Sequence, residues 1–169
     1  NFLKKSKVDF IFLVGWSWII PKTILKKNNF FGIHPSDLPK YAGGSPIQHQ
    51  IIEGVTTTKN TLFKLNEKID GGRPILKKNL SLKGDMQIIF KNIKNSSINM
   101  IDRIIKKGIP KKGDRDFLEV RTTKTVIALK RFTPQNSKIK KNEFTKFTTL
   151  EIYNILRCRE FPYPNAYIE

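Results

Sequence analysis

Phe30-Phe31-Gly32-Ile33-His34-Pro35-Ser36-Asp37-Leu38-Pro39-Lys40-Tyr41-Ala42-Gly43-Gly44-Ser45-Pro46-Ile47-Gln48 is a strand, a loop and the start of a helix in succession. The first five residues form a short apolar run that Pro35 stops, the pattern of a strand inside a sheet. Ser36 to Ser45 is rich in proline and glycine and predicts a loop. Pro46 suits the first turn of a helix, where a missing N–H costs nothing, and Ile47, Ile51 and Ile52 then share one face before Gly54 ends it.

Upstream, Val8 to Gly15 is a continuous apolar run closed by glycine, as in a strand covered on both faces of a parallel sheet. Downstream, Thr61–Leu65 and Pro74–Lys78 read as two strands around the turn Asp70-Gly71-Gly72. The longest helix is predicted from Asp85 to Lys107. Met86, Ile89, Ile93, Met100, Ile104 and Ile105 return near a 3.6-residue period, and Gly108 and Pro110 stop it. A strand is expected over Val126–Phe132, a solvated loop over Lys138–Lys146 and a helix over Thr149–Arg159. Strand and helix alternation predicts the α/β class.

A chain of 169 residues is about one domain long, and its one cysteine, Cys158, can form no internal disulfide. That predicts a reducing, cytoplasmic compartment. The apolar run from Val8 to Ile20 contains Asp9 and Ser17 and is too short and polar for a transmembrane helix, and its end lacks the small-residue cleavage site of a signal peptide. No His, Cys or carboxylate cluster stands at metal-ligand spacing, so no metal is expected. Lysine and arginine number 32 against 14 acidic residues, a formal net charge of +18. The lysines are spread in short pairs among many isoleucines and asparagines, which reads as compositional drift. A field of this sign still attracts a phosphorylated substrate or a polyglutamated folate. The chain opens at Asn1 in a basic stretch just before a strand, which reads as a fragment lacking N-terminal strands.

The loop after the second strand resembles a segment shared by formyltetrahydrofolate-dependent formyltransferases: a histidine followed by Pro-Ser, Leu-Pro, a glycine and Pro-Ile-Gln, here His34 to Gln48. The family also has an aspartate with a glycine close behind it, and Asp70-Gly71-Gly72 stands 36 positions after His34. Gly15-Trp16-Ser17-Trp18-Ile19-Ile20-Pro21 is similar to the family's folate-side loop. The likeness covers residues 8–90 and returns at Pro162–Tyr167. It implies a Rossmann-like core with a mostly parallel sheet flanked by helices. Residues 1–135 would be the C-terminal part of the catalytic core, and 136–169 a loop, a helix and the start of an extension.

The resemblance implies transfer of a formyl group from N10-formyltetrahydrofolate, as co-substrate, to an amine through a tetrahedral oxyanion. Histidine can donate to that oxyanion or move a proton near neutral pH, and a nearby carboxylate can orient the ring or relay the proton of the amine. His34 and Asp70 are thus the implied catalytic pair. Trp16, Ser17, Trp18, Ile19, Ile20, Glu67 and Ile69 are implied on the folate side, and Ser45, Pro46 and Gln48 on the acceptor side. Two positions depart from the pattern: Gly32 stands where the family has an asparagine that donates to the formyl oxygen, and Ala42 where many members have arginine. Losing one oxyanion donor typically costs about a hundredfold to a thousandfold in rate.

Gly43-Gly44-Ser45-Pro46 and the tryptophan loop look closer to sugar N-formyltransferases of polysaccharide biosynthesis, which implies a nucleotide-linked amino sugar as acceptor. Methionyl-tRNA is the alternative acceptor, and a folate- or sugar-nucleotide-binding module with weakened catalysis is a third reading. No membrane partner is implied, and a homodimer is the assembly considered. Taken alone, Gly43 and Gly44 read as loop flexibility, His49 as a residue on the exposed side of its helix, and Cys158 as an inert helix residue.

Overall fold

The computed structural model describes residues 8–119 and 128–168. Four strands form the main sheet in the order β1 (Ile11–Val14), β2 (Phe30–His34), β3 (Thr57–Lys64) and β4 (Pro74–Ser81). β1 and β2 run parallel, joined across the short helix α1 (Lys22–Leu25), and β3 and β4 return antiparallel. Helix α2 (Pro46–Ile52) links β2 to β3, with Pro46 in its first turn as the sequence implies.

Helix α3 (Met86–Lys107) carries 22 residues, about 33 Å at 1.5 Å per residue. Asp85 caps it by accepting the Ile88 N–H at 2.8 Å, and Gly108 ends it at φ 72°. Met100 and Ile104 pack against Phe31, Leu62, Ile75 and Leu76, which closes one face of the sheet. Ile105, expected in this stripe, is 64% exposed. It lies one position, or about 100°, beyond Ile104, which already fills the seam. Ser97 takes a buried place instead, receiving the Asn60 side-chain amide at 3.0 Å.

The C-terminal segment docks on this core. A 3₁₀ turn (Pro134–Ser137) leads into β5 (Lys138–Ile139), α4 (Lys141–Phe144), α5 (Thr149–Arg157) and β6 (Tyr167–Ile168), and β5 pairs parallel with β6. The expected loop over Lys138–Lys146 therefore holds a short strand and a helical turn. Ile139 is 4% exposed, and its burial anchors the segment. Cys158 packs with Ile47, Ile51, Leu80, Leu82, Met86 and Ile89, and burial pushes its thiol pKa up. Arg157 donates to Leu82 O at 2.7 Å and Gly84 O at 2.9 Å. Of the strand expected over Val126–Phe132, Val126 and Ile127 lie outside the described residues, and the described remainder pairs only at Leu129, with Gly43.

Candidate active site

The face of the sheet away from α3 carries Gly32 and His34 of β2, Thr61 and Phe63 of β3 and Lys77 of β4. Alternation along each strand fixes this, since Phe31, Leu62 and Leu76 point to α3. His34, Thr61 and Lys77 form one cross-strand row. Two of its members hold the loop that follows His34. Thr61 Oγ1 donates to Ser36 O at 2.6 Å, and Lys77 Nζ donates to Leu38 O at 2.6 Å and pairs with Asp37. Gln50 of α2 adds a donation to Pro35 O at 2.9 Å. Leu38 and Ala42 pack on Phe63 beneath that loop.

The loop turns back on His34. His34 Nε2 lies 2.7 Å from Tyr41 O, and His34 Nδ1 lies 3.4 Å from Asp70 Oδ2. A carbonyl only accepts, so Nε2 carries a proton, and Nδ1 faces the carboxylate. The Gly43 N–H donates to the same Asp70 oxygen at 2.8 Å. The His34 side chain is 8% exposed and that of Asp70 20%, so the carboxylate is the member open to an incoming group. Tyr41, Ser45 and Asp70 all adopt left-handed backbone, at φ 56°, 51° and 46°. Non-glycine residues there cost on the order of 1 kcal/mol each, and such strain concentrates at functional sites.

Glycine at 72 is a requirement of this geometry. A Cβ there would stand 1.8 Å from Lys64 O, so the Asp70 loop can lie this close to β3 only with glycine. Gly43 and Gly44 are explained in the same way rather than by flexibility. Leu129 donates its N–H to Ala42 O at 2.7 Å and accepts from Gly44 N at 2.8 Å, and a Cβ on Gly44 would meet Arg131 Cα at 2.4 Å. This crossing also covers His49. Its ring lies 4.5 Å from that of Phe132 and its Nε2 3.0 Å from Lys130 O, so His49 is half-buried, not on an exposed side.

The loop after β1 is open. Trp16, Trp18 and Ile19 are 53%, 78% and 72% exposed, and the Trp16 indole N–H donates to Trp18 O at 2.7 Å. A salt bridge from Lys22 to Glu67 at 2.8 Å ties this loop to the one carrying Asp70, where Ile69 is also exposed. Ile20 is half-buried, and Ser17 Oγ accepts from Arg131 at 3.1 Å. The loop after β1 is thus tied to the loop that carries Asp70, with Trp16 and Trp18 outside the core.

The residues expected on the acceptor side are differently engaged. Ser45 Oγ accepts from Phe132 N at 2.9 Å, Pro46 opens α2, and Gln48 is 3% exposed with its amide donating to Cys158 O at 3.2 Å. Beside Gly32, the Phe63 ring fills the space a side chain would need, 2.7 Å from an ideal Cβ. Tyr41 O and Gly43 N, the backbone groups that fix the pair, have no side-chain signature in the sequence. Thr61 and Lys77 join the site through strand register, which no local motif encodes.

A histidine–carboxylate pair beside the carboxyl end of a parallel strand pair lies where α/β folds bind their ligands, and so marks the candidate active site. The family model for formyl transferases matches residues 1–88, and the chain belongs to that family. It is 38% identical over 84 residues to a methionyl-tRNA formyltransferase of Rickettsia prowazekii, a stretch covering 48% of this chain and 28% of that protein. The chain spans about a third or less of the length of the curated relatives it matches. Among solved structures it is similar to methionyl-tRNA formyltransferase from Clostridium thermocellum, with TM-score 0.78 and 29% identity over 95% of this chain and 66% of that one. A sugar N-formyltransferase from a Shewanella species shares the fold at TM-score 0.68, with 16% identity over 95% of this chain and 64% of the other. HypX from Aquifex aeolicus in complex with tetrahydrofolic acid does so at TM-score 0.68, with 13% identity over 95% of this chain and 27% of the other.

Proposed function

We propose that this chain carries the reacting centre of an enzyme that transfers a formyl group from N10-formyltetrahydrofolate to a primary amine, with His34 and Asp70 as the proton-handling pair. The 3.4 Å juxtaposition of His34 and Asp70, beside an open loop of exposed tryptophans, carries this reading. The residues fit the co-substrate. Trp16, Trp18, Ile19 and Ile69 offer the flat apolar surface a pterin ring needs, and Ser17, Ile20 and Glu67 complete the two loops that frame it.

When bound, the co-substrate supplies the activated formyl carbon. An amine that attacks this carbon must lose a proton, negative charge develops on the formyl oxygen, and collapse of that oxyanion would break the bond from the formyl carbon to N10, which takes up a proton as tetrahydrofolate leaves. Asp70, the more exposed member, is the acceptor for that proton. Its Oδ2 is held by Gly43, while Oδ1 has no hydrogen bond among the described residues. His34, fixed at Nε2 by Tyr41 O, presents Nδ1 to the carboxylate, and where that nitrogen carries a proton it would donate to Asp70 and hold the carboxylate's charge. General acid–base catalysis of this kind contributes about a hundredfold to ten-thousandfold.

We propose methionyl-tRNA as the acceptor. The 38% identity to the Rickettsia enzyme and the 0.78 TM-score with the Clostridium enzyme support it. The nucleotide-linked amino sugar is the second reading, supported by the Gly43–Pro46 run and the shared fold of the Shewanella sugar enzyme. Phe63 packed against Gly32 favours the third, a pocket that binds without turnover.

A formyl-transfer assay on the full-length protein tests these readings, with formyltetrahydrofolate as donor and methionyl-tRNA or amino-sugar nucleotides as acceptors. Transfer to methionyl-tRNA is expected, with His34→Ala and Asp70→Ala each lowering kcat by at least about a hundredfold at unchanged Tm. Transfer to the sugar alone moves the acceptor to the second reading. Folate binding without transfer to either leaves the binding module.

A further inference from the structure

We infer that a basic track running from Lys27 and Lys64 through Arg73 to Lys78, Lys107 and Arg115 binds the phosphodiester backbone of an RNA. The inference rests on the reading of methionyl-tRNA as acceptor.

Two cavities outside the reacting centre are lined by cations. The larger, of about 660 Å³, lies between β4, the end of α3 and the segment after it, and holds Lys78, Arg103, Lys107 and Arg115 with Asp114 and Asp116. The smaller, of about 370 Å³, lies at the start of β2 and holds Lys26, Lys27 and Lys64 with Asn28 and Asn29. Arg73 connects them. Its carbonyl accepts the Lys64 N–H at 2.8 Å, and its guanidinium lies 5.3 Å from the centre of the Phe117 ring, next in sequence to Asp116.

The larger cavity already favours an anion. The Asp116 carboxyl is held below its usual range by its hydrogen bond from Arg103, with Lys78 and Lys107 adding their fields. Arg103 is occupied, bonded to Asp116 at 3.0 Å and to Gly108 O at 2.8 Å. Lys78, Lys107 and Arg115 are exposed and make no hydrogen bond or ion pair among the described residues. Cations gathered in this way repel one another, and a phosphate would relieve that repulsion. One free phosphate would occupy one cavity, whereas two basic cavities joined by an arginine fit a polymer that carries a charge at every step. The track also passes the root of the site loop, because Arg73 is three residues beyond Asp70.

Fluorescence anisotropy of a labelled tRNA with the full-length protein, over a series of salt concentrations, tests the track. The Lys78→Gln/Lys107→Gln/Arg115→Gln variant removes three cations from it. Lys83→Gln/Lys91→Gln/Lys94→Gln removes the same charge from positions before and along the first half of α3. The track variant is expected to bind about a hundredfold more weakly near physiological salt and to lose roughly 0.9 from the salt slope per cation removed, with the control changed less than about threefold. Equal weakening of both variants, no RNA binding by the parent protein, or competition by inorganic pyrophosphate as effective as by unlabelled tRNA each overturns the track. Unchanged Tm and circular dichroism separate lost contacts from lost folding. If the parent protein binds tRNA through the track yet formylates only a sugar nucleotide, the acceptor reading falls and the track stands. If the track variant formylates methionyl-tRNA with unchanged KM, the track falls and the acceptor reading stands.

Discussion

The two faces of the sheet are held by different forces. Against α3, Phe31, Leu62 and Leu76 meet Met100 and Ile104, all at most 5% exposed. On the other face, His34, Thr61 and Lys77 spend their polar atoms on the loop that follows β2, and Tyr41, Ser45 and Asp70 sit in left-handed backbone. The first face is an apolar seam whose burial is worth about 25 cal/mol per Å². The second is a polar scaffold that holds strained backbone in place. The difference assigns stability to the first face and alignment to the second, and substitutions on the two should fail differently.

The largest effect belongs to the seam. Leu62→Ala leaves a hole beneath α3 at a fully buried position and should cost about 2–5 kcal/mol of unfolding free energy. Chemical denaturation should report that loss while kcat at a temperature where the variant stays folded changes less than about threefold. A kcat loss as large as that of His34→Ala would mean that the two faces are not separable.

Gly72→Ala is the complementary case. The new methyl group meets Lys64 O, a backbone atom that cannot swing away, so the Asp70 loop must lift. A displacement of about 1 Å can cost about a hundredfold in rate. The expected result is a kcat reduced on that order, with a smaller stability loss of about 1–3 kcal/mol. Full activity in Gly72→Ala would show that the position of the Asp70 loop does not matter.

The same division explains what the sequence discloses. The seam is built from side chains in periodic patterns, so β2 and the extent of α3 with its Asp85 cap can be read directly. Gly32 and His34 are two apart, and strand alternation alone puts them on one face. The aligning contacts are made largely by backbone atoms: Tyr41 O, Gly43 N and Leu38 O could belong to any residue type. The closeness that demands Gly44 comes from Leu129 and Arg131, far away in sequence. Lys138–Lys146 misleads because its lysines signal solvent, while the burial of Ile139 anchors the short strand β5.

The smallest effect tests whether the polar scaffold reaches the surface. The Tyr41 phenol donates to Glu53 at 2.6 Å, and this bond, with burial and the charge of Glu53 adding to it, raises the phenol from its ordinary 10.0 to about 12. The protonated phenol is the form that the fold favours. Its contribution is therefore complete below pH 10 and disappears as the pH rises from 10 to about 12. Ultraviolet titration should show one of the four tyrosines, absent in Tyr41→Phe, ionising near the upper end of that window. The bond is partly exposed, so Tyr41→Phe should cost only about 0.5–1 kcal/mol below pH 10 and nothing above pH 12. Because the same residue supplies the carbonyl that fixes His34 Nε2, any kcat loss in Tyr41→Phe measures how much of that alignment depends on the surface bond. A fully active variant would place the alignment entirely in the backbone contacts of the loop.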